Sequence, residues 1–569
     1  MRDATRFLLR VAALLLTLAP MVALAQICTG LCLQQVICPN PAVTTTISGT
    51  VYAPNGVDPL PGVLVYIPNG PVDPLPLGAT CRNGGTPPSS PLVQAISGID
   101  GKFTVNNMPV GTSIPLVIQS GKWRRQSVIP NVPSCTNTPI AAAKTRFPTR
   151  QSEGDMPNLA VVTGANDAQE CILRKIGIVD SEFTNSNGAG RVKLFGGANS
   201  PGATYSAASA SETVLEASFA TLDSYDMVMF SCQGDQYAQT PAAQQNLINY
   251  ANAGGRVMAT HYAYTWLYND APFSSTATWV PDQLDITADP QTGYINTTFP
   301  DGYQLAQWLQ YVGATTTQGE LQLGTLRHDV NAVVAPSLLW IDVHDTPSGS
   351  VPMQYTFDTP VGNAAANQCG RVQFNDYHPV DAFSAGLTFP QECTAGAMTP
   401  QEKLFEYMLF NLTNNTEPAL TLTIDDGRQF ARYDNIANYT VNLVNNSPTA
   451  VSNIAVPSSL SPGLDTANTL CVGSGGATCT TNSLGGLTAS ATVAGNSTAT
   501  WVISVPVLVS SSDTTVEMDV STPGLPLATD VNTLVIFPRW LRCGERRWYA
   551  IVVLTRGHGD CPRAACRYG

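Results

Sequence analysis

Two short apolar runs decide the fold of this chain. Residues 225–236 read YDMVMFSCQGDQ, and residues 254–261 read GGRVMATH. A segment with helical periodicity lies between them at 242–253, with Leu247, Ile248 and Ala251 on one face. The order strand, turn, helix, strand predicts a parallel β-α-β unit, in which sites form at the carboxyl ends of the strands. Cys232 and His261 stand at two such ends and are the first candidate site residues.

The same alternation extends over residues 158–415, which we interpret as an α/β domain. Strands are predicted at 159–162, 191–195, 227–230, 257–260, 338–343 and 371–375, and helices at 167–176, 302–311 and 400–412. Six strands separated by helices predict a flavodoxin-like domain built on a parallel sheet.

Regions of pure β pattern flank this domain, so we expect a multidomain chain. Residues 43–135 alternate apolar and polar residues between Pro- and Gly-rich turns and predict one β-sandwich. Residues 136–157 are polar, contain three prolines and are interpreted as a linker. Residues 417–537 alternate again and predict a second sandwich. The last segment, 538–569, has seven Arg and no strand period, which indicates either a frameshifted reading of a GC-rich gene or a genuine basic tail.

The N-terminus predicts export. Residues 1–25 begin with basic residues, continue with an apolar core and end in the small-x-small triplet Ala23-Leu24-Ala25. These three features are typical of a cleaved signal peptide. A lipoprotein signal is the alternative, but two residues separate Ala25 from Cys28. No later run reaches the ~18 apolar residues of a membrane span. We expect a periplasmic, outer-surface or secreted protein.

All fourteen cysteines follow the signal segment, and an oxidising compartment favours their pairing. We predict two local disulfides, Cys471 with Cys479 and Cys369 with Cys393. Five more cysteines bracket the first sandwich and the segment 26–42 before it, and their connectivity is left open: Cys28, Cys32, Cys38, Cys81 and Cys135. The first three could instead form a zinc cluster, although disulfides are favoured.

The formal net charge of −13 argues against nucleic acid as a partner. The two ends of the chain, residues 1–25 and 538–569, each carry a net positive charge, so the body between them is more acidic still. We expect instead a polysaccharide or another cell-surface component as the partner.

Both β regions resemble known bacterial modules. The run SGTVYAP…PGVLVYIP…SGIDGKFTVNNMPVG in residues 43–135 resembles the carboxypeptidase regulatory-like family, a transthyretin-like sandwich. The resemblance implies a non-catalytic module that binds carbohydrate or packs against neighbours. The run YTVNLVNNSP in residues 417–537 is similar to an immunoglobulin-like repeat of bacterial envelope proteins whose function is unknown.

The α/β region resembles the class I glutamine amidotransferase-like superfamily, especially its trehalose-utilisation branch, in YDMVMFSC, LINYANAGGRVMATHYAY and GRVQFNDYHPVD. The resemblance implies a nucleophilic Cys in a strained elbow, within G-x-C-x-G-x-Q, and a later His. Cys232, Gly234 and Gln236 reproduce C-x-G-x-Q, but they follow the strand before the elbow. His261 occupies the elbow itself, and His378 lies where the superfamily places its second histidine.

Several chemistries remain open at these residues. A thiol mechanism needs Cys232 close to His261 or His378, whereas an exported cysteine is more often half of a disulfide. A set of Cys232, His378 and Asp381 is a further arrangement, which the spacing does not support. Pairs of His and Asp at 328–329 and 342–345 could bind a metal, but solvated loops are favoured.

Aromatic residues offer a possible sugar-binding surface. Tyr262, Tyr264 and Trp266 follow the elbow, and Trp123 lies in a basic stretch of the first sandwich. For each, packing in a core is the favoured interpretation. We therefore expect a non-catalytic binding or scaffolding protein of the bacterial envelope, with no metal or other cofactor. The alternative is an exported hydrolase, amidase or carbohydrate-modifying enzyme that uses Cys232, His261 and His378.

Overall fold

The computed structural model describes most of the chain before residue 536. The described residues are 30–40, 43–81, 91–283, 286–345, 349–363, 367–381, 383–413, 420–428, 430–432, 435–445, 451–481, 487–494, 497–508, 515–520 and 528–535. The predicted signal peptide and the tail 538–569 lie outside them. The described part is mostly β structure, with one large mixed sheet.

The first sandwich has two small sheets. Its strands are β1 (Thr46–Thr50), β2 (Leu64–Pro68), β3 (Pro91–Ile96), β4 (Lys102–Val105), β5 (Gly111–Ser120), β6 (Trp123–Val132) and β7 (Asn137–Pro139). One sheet has the order β4-β1-β7 and the other β3-β2-β5-β6. Alternate side chains of β1 and β5, including Ile47, Ile114 and Leu116, are buried between the sheets.

The α/β domain is built on a ten-stranded sheet. Its strands are β8 (Leu159–Thr163), β9 (Phe183–Thr184), β10 (Val192–Gly196), β11 (Met227–Phe230), β12 (Arg256–Thr260), β14 (Gln291–Ile295), β15 (Glu320–Leu323), β17 (Leu338–Asp345), β18 (Gly349–Thr359) and β19 (Gly370–Asn375). A separate ribbon pairs β13 (Ala277–Trp279) with β16 (Val330–Val333). The sheet order is β15-β14-β17-β18-β19-β12-β11-β8-β10-β9.

The sheet is mixed, which corrects the prediction of a parallel sheet. Six strands, from β19 to β9 in the sheet order, are parallel, as expected. The other four strands extend the sheet in antiparallel pairs. The predicted strand at 338–343 is β17 in this extension. Apolar runs are typical of strands covered on both faces, and they do not fix the direction in which a strand pairs.

In the described part of these first two regions, eight α-helices connect or cover the strands. They are α1 (Ala142–Thr145), α2 (Gln169–Lys175), α3 (Glu212–Glu216), α4 (Phe219–Leu222), α5 (Pro241–Asn252), α6 (Thr265–Tyr268), α7 (Pro300–Tyr311) and α8 (Pro400–Thr413). The α5 helix begins with Thr240, whose side chain accepts a hydrogen bond from the backbone N–H of Ala243, and with Pro241 in its first turn. The helix ends just before the glycine doublet that leads into β12.

The first sandwich and the α/β domain share one hydrophobic core. Trp308 of α7 donates a hydrogen bond from its indole nitrogen to the carbonyl of Pro59, at 2.6 Å. Trp123 of β6 packs against Phe410 of α8, with ring centroids 5.4 Å apart. Lys122 forms an ion pair with Asp226 across the same boundary. The two regions therefore form one packed unit.

At this boundary the predicted linker is wrong, and the sugar-binding alternative for Trp123 is excluded. Residues 136–157 are not a free linker: β7 pairs with β1, and Phe147 is fully buried against Phe410. Trp123 is also fully buried, so it offers no surface to a sugar. A polar, proline-rich composition indicated solvent exposure, but the few apolar residues of this stretch pack into the shared core.

The C-terminal region is a second sandwich with its own core. Its strands are β20 (Leu420–Asp425), β21 (Phe430–Arg432), β22 (Ile436–Asn445), β23 (Val451–Ala455), β24 (Ser458–Leu460), β25 (Leu470–Ser474), β26 (Ala477–Thr481), β27 (Leu487–Val493), β28 (Ser497–Pro506), β29 (Thr515–Val520) and β30 (Ala528–Val535). Trp501 of β28 is completely buried at its centre. The alternation predicted for residues 417–537 thus forms the expected layered β structure.

Four disulfides join described cysteines, which fits a protein that folds in an oxidising compartment. The predicted Cys471–Cys479 pair is confirmed. The predicted Cys369–Cys393 pair is wrong, because the bonds are Cys81–Cys369 and Cys171–Cys393, and the fourth is Cys38–Cys135. Cys32 is also disulfide-bonded, which argues against a zinc cluster. No helix among the described residues is long and apolar enough to cross a membrane.

Candidate functional site

The parallel strands bring the candidate residues together. Phe230 of β11 lies opposite Ala259 of β12. Cys232 comes two residues after Phe230, and His261 comes two residues after Ala259, so both follow the same point of the sheet. In the β12–β19 pairing Thr260 lies opposite Asn375, and His378 follows three residues later. Strand ends in register at one edge of a parallel sheet place their following residues close together. Cys232, His261, His378 and Asp381 accordingly meet at this edge.

His261 occupies a strained elbow. Its φ angle is +52°, in the left-handed region that residues other than glycine rarely adopt, and a 3-10 turn (His261–Tyr264) follows at once. Such strain persists only where surrounding contacts hold it, and it is concentrated at functional sites. The predicted sharp bend after the glycine doublet is therefore present, and it carries an imidazole.

Cys232 is a free, fully buried thiol beside that imidazole. Its sulfur lies 3.3 Å from Nδ1 of His261 and accepts a hydrogen bond of 3.3 Å from the backbone N–H of Gly234. The expectation that Cys232 is half of a disulfide is thus wrong. A backbone N–H and an imidazole are the partners that stabilise a thiolate, which is the reactive form of cysteine.

A glycine permits the position of Cys232. A Cβ atom on Gly164, in the loop after β8, would lie 2.0 Å from the carbonyl oxygen of Cys232. That distance is far inside van der Waals contact, so any other residue at 164 would push the cysteine turn away. The loops after β8 and β11 can approach this closely only because residue 164 has no side chain.

His378 links the buried thiol to the surface. Its Nδ1 lies 3.4 Å from Oδ1 of Asp381, whose side chain is 71% exposed, and its ring centroid is 4.1 Å from that of His261. Its Nε2 is buried and has no hydrogen-bond partner among the described residues. Burial favours the neutral imidazole, but interaction with Asp381 and Cys232 outweighs it and raises the pKa of His378 to about 10.

The two histidines have opposite protonation tendencies. The pKa of His261 lies well below its usual range, first because the ring is buried and then because His378 and Arg327 are positively charged nearby. At neutral pH His261 is therefore neutral and can accept a proton, whereas His378 is cationic. The site thus pairs a thiol with one proton acceptor and one positive charge.

Asp167 is a site residue that the sequence analysis missed. This fully buried carboxyl accepts hydrogen bonds from the Thr260 hydroxyl at 2.6 Å and from the backbone N–H of Val380 at 3.2 Å. Burial raises its pKa. Asp167 thereby connects the residue before His261 with the loop after His378. The sequence placed Asp167 at the start of a predicted helix, but α2 begins only at Gln169. The signal that could have identified Asp167 is its position as a carboxylate in the loop that directly follows β8.

The turn after Cys232 is fixed by its two glutamines. The side-chain N–H of Gln233 donates a hydrogen bond of 2.7 Å to the carboxylate of the buried Glu212. The side-chain oxygen of Gln233 accepts hydrogen bonds from the backbone N–H groups of Asn199 and Ser200. Gln236 accepts a hydrogen bond of 2.8 Å from the hydroxyl of Tyr264. Residues 232–236, the C-x-G-x-Q run, therefore form a turn whose position is fixed by hydrogen bonds from these two glutamine side chains to the surrounding loops.

The aromatic residues after the elbow are mostly internal. Tyr264 and Trp266 are buried, and Trp266 stacks on Phe230 at 4.5 Å between ring centroids, so their predicted role as a sugar platform does not fit. Tyr262 is only half-buried, but the guanidinium of Arg327 covers its ring at 4.0 Å. Packing around the elbow is the role of this aromatic group.

The two other His and Asp groups do not converge on a site. Nε2 of His328 lies 2.7 Å from Oδ1 of Asn331, and Asp329 forms an ion pair with Arg327. His344 is exposed and stacks on Tyr294. Among the described residues, only one group of three potential metal ligands contains histidine, and it consists of Cys232, His261 and His378.

No family model and no curated protein matches the chain. Among solved structures, a collagen-binding domain from a Staphylococcus aureus adhesin is similar at 10% identity, with 20% of this chain and 95% of that domain covered and a TM-score of 0.15. The N-terminal domain of mmIFT52 is similar at 10% identity; the match covers 45% of this chain and 96% of that domain, with a TM-score of 0.27. Similarities this low assign the chain to no class of protein.

Proposed function

We propose that this protein is an exported hydrolase of amide or ester bonds that uses Cys232 as its nucleophile. The observation that carries the proposal is the free thiol 3.3 Å from a neutral imidazole, at the carboxyl ends of parallel strands. The resemblance of the central region to the class I glutamine amidotransferase-like superfamily supports the same chemistry. The four disulfides support export.

Each polar group has a role in this reaction. The Cys232 thiol gives its proton to Nδ1 of His261, and the sulfur attacks the substrate carbonyl carbon. The cationic His378, oriented by Asp381, stabilises the negative charge that develops. His261 then protonates the leaving amine or alcohol as the carbonyl bond to it breaks. Water next cleaves the thioester, and the sulfur regains its proton.

The arrangement differs in one respect from that of the amidotransferases that the central region resembles. Those enzymes carry the nucleophile in the elbow, whereas this chain carries His261 there and its sulfur at the end of the preceding strand. Because β11 and β12 are adjacent and in register, exchanging the two residue types between neighbouring strand ends still leaves sulfur and imidazole in contact. The departure from the motif therefore does not remove the thiol mechanism.

The second candidate function is non-catalytic binding or scaffolding at the bacterial cell envelope. The complete burial of Cys232 favours it, because a substrate reaches the sulfur only after neighbouring side chains move. The resemblances of the two sandwiches, to regulatory-like and immunoglobulin-like modules, also fit this role. Polysaccharide as the ligand has less support, since three of the four candidate aromatic residues are buried.

Alkylation by iodoacetamide separates the two functions. We expect Cys232 to be modified in the folded protein and the rate to fall at least ~10-fold in His261→Ala, because a base within hydrogen-bond reach promotes thiolate formation. The measurement is time-resolved peptide mapping, which assigns the label to one residue. His344→Gln, at an exposed position of β17, three strands from β12 in the sheet order, is the matched control and should react like the wild type. Modification of Cys232 only after unfolding would favour the binding function.

A further inference from the structure

The same three side chains have the composition and spacing of a zinc site. One ligand atom from each of Cys232, His261 and His378 lies within 4.8 Å of the others. A tetrahedral Zn²⁺ with Zn–S of about 2.3 Å and Zn–N of about 2.1 Å places sulfur and nitrogen about 3.6 Å apart. The observed sulfur-to-nitrogen distance from Cys232 to His261 is 3.3 Å, so that pair needs to adjust by only a few tenths of an ångström.

An independent observation points to a ligand at this position. His378 is 4% exposed, and its Nε2 has no hydrogen-bond partner among the described residues. A buried polar atom without a partner is costly, and a metal ion would satisfy it. The other ring nitrogen faces Asp381 at 3.4 Å, which is the carboxylate–histidine arrangement that orients metal-bound imidazoles.

We propose that Cys232, His261 and His378 form a Zn²⁺ site whose occupancy switches off the thiol. Thiolate and imidazole ligands favour zinc over magnesium or calcium, which prefer oxygen. On binding, bonds form from Zn²⁺ to the sulfur, to a ring nitrogen of His261 and to Nε2 of His378; the thiol proton and the Nε2 proton of the cationic His378 are released to solvent, and no electron is transferred. The metal-bound sulfur donates electron density to Zn²⁺ and is therefore a weaker nucleophile, and His261, whose ring nitrogen is bound to the metal, can no longer accept the thiol proton. The consequence for activity rests on the proposed hydrolase function, but the metal site itself does not.

Metal binding to the full chain tests this site directly. We expect protein freed of metal by a chelator to bind one Zn²⁺ at this site in equilibrium dialysis, and Co²⁺ to give thiolate-to-metal charge-transfer absorption. Cys232→Ser should abolish the charge-transfer band. Asp381→Asn, at an exposed position that does not threaten folding, should weaken Zn²⁺ binding 10- to 100-fold. His344→Gln removes an exposed histidine outside the cluster and should bind like the wild type.

The outcomes of the metal and hydrolase experiments are distinguishable. Zn²⁺ binding without any hydrolysis would retain the metal site and remove the proposed function. If Zn²⁺ did not inhibit hydrolysis and Co²⁺ gave no charge-transfer band, the proposed metal site would be wrong and the proposed hydrolase function would still stand. Equal Zn²⁺ affinity in the wild type, Cys232→Ser and Asp381→Asn would also overturn the site, because binding would then lie elsewhere.

Discussion

Replacing Cys232 by serine is expected to reduce the hydrolysis of an activated ester such as p-nitrophenyl acetate by at least ~100-fold. A serine hydroxyl at this position keeps the shape of the side chain, but it ionises far less readily than a thiol. The backbone N–H of Gly234 and the imidazole of His261 would then face a group that does not become an anion. The measurement is the steady-state rate of chromophore release.

A second variant, His261→Ala, removes the base, and its matched control removes a histidine elsewhere. His344→Gln leaves the site intact and should hydrolyse the ester at the wild-type rate, whereas His261→Ala should lose activity as Cys232→Ser does. Groups that act as a unit give similar losses when either is removed. Equal hydrolysis by the wild type and Cys232→Ser would contradict the role of the thiol.

Replacing Trp308 by alanine is expected to lower the free energy of unfolding of the first sandwich and α/β domain by about 3–5 kcal/mol. The indole is fully buried, packs on Tyr407 with 5.5 Å between ring centroids, and donates its N–H to Pro59 across the boundary. The variant leaves a large cavity and an unpaired carbonyl. Calorimetry should record a lower melting temperature for the transition of this unit.

A second tryptophan provides the control for that variant. Trp501 is equally buried, but it belongs to the separate core of the C-terminal sandwich. Trp501→Ala should therefore destabilise that sandwich and leave the transition of the larger unit unchanged. If Trp308→Ala and Trp501→Ala shifted the same transition, the division into a shared core and a separate C-terminal core would be wrong.

The local pattern of the sequence predicted much of the site. The run 227–230 is a strand with the predicted bounds, and the helix and the second strand lie within a residue or two of theirs. Parallel pairing then follows from the connecting helix, and it brings Cys232 and His261 together. This part was predictable because hydrophobic periodicity and the geometry of the β-α-β unit are local properties.

Long-range contacts were not predictable in this way. Cys369 pairs with Cys81, 288 residues away, because a disulfide depends on the distance between Cα atoms in the fold and not along the chain. The role of Asp167 depends on hydrogen bonds to Thr260 and Val380, which are distant in sequence. The burial of Trp123 depends on α8 packing over it. A single sequence contains no pattern that pairs these residues.

The central claim is that Cys232 is a nucleophile activated by the elbow histidine. Its most direct test is a single-turnover reaction with p-nitrophenyl acetate, quenched in acid and mapped by mass spectrometry. The account predicts one acetyl group on the peptide that contains Cys232 in the wild type, and none on the matching peptide of Cys232→Ala. An unmodified Cys232 peptide at complete substrate turnover, or an acetyl group on another residue, would contradict it.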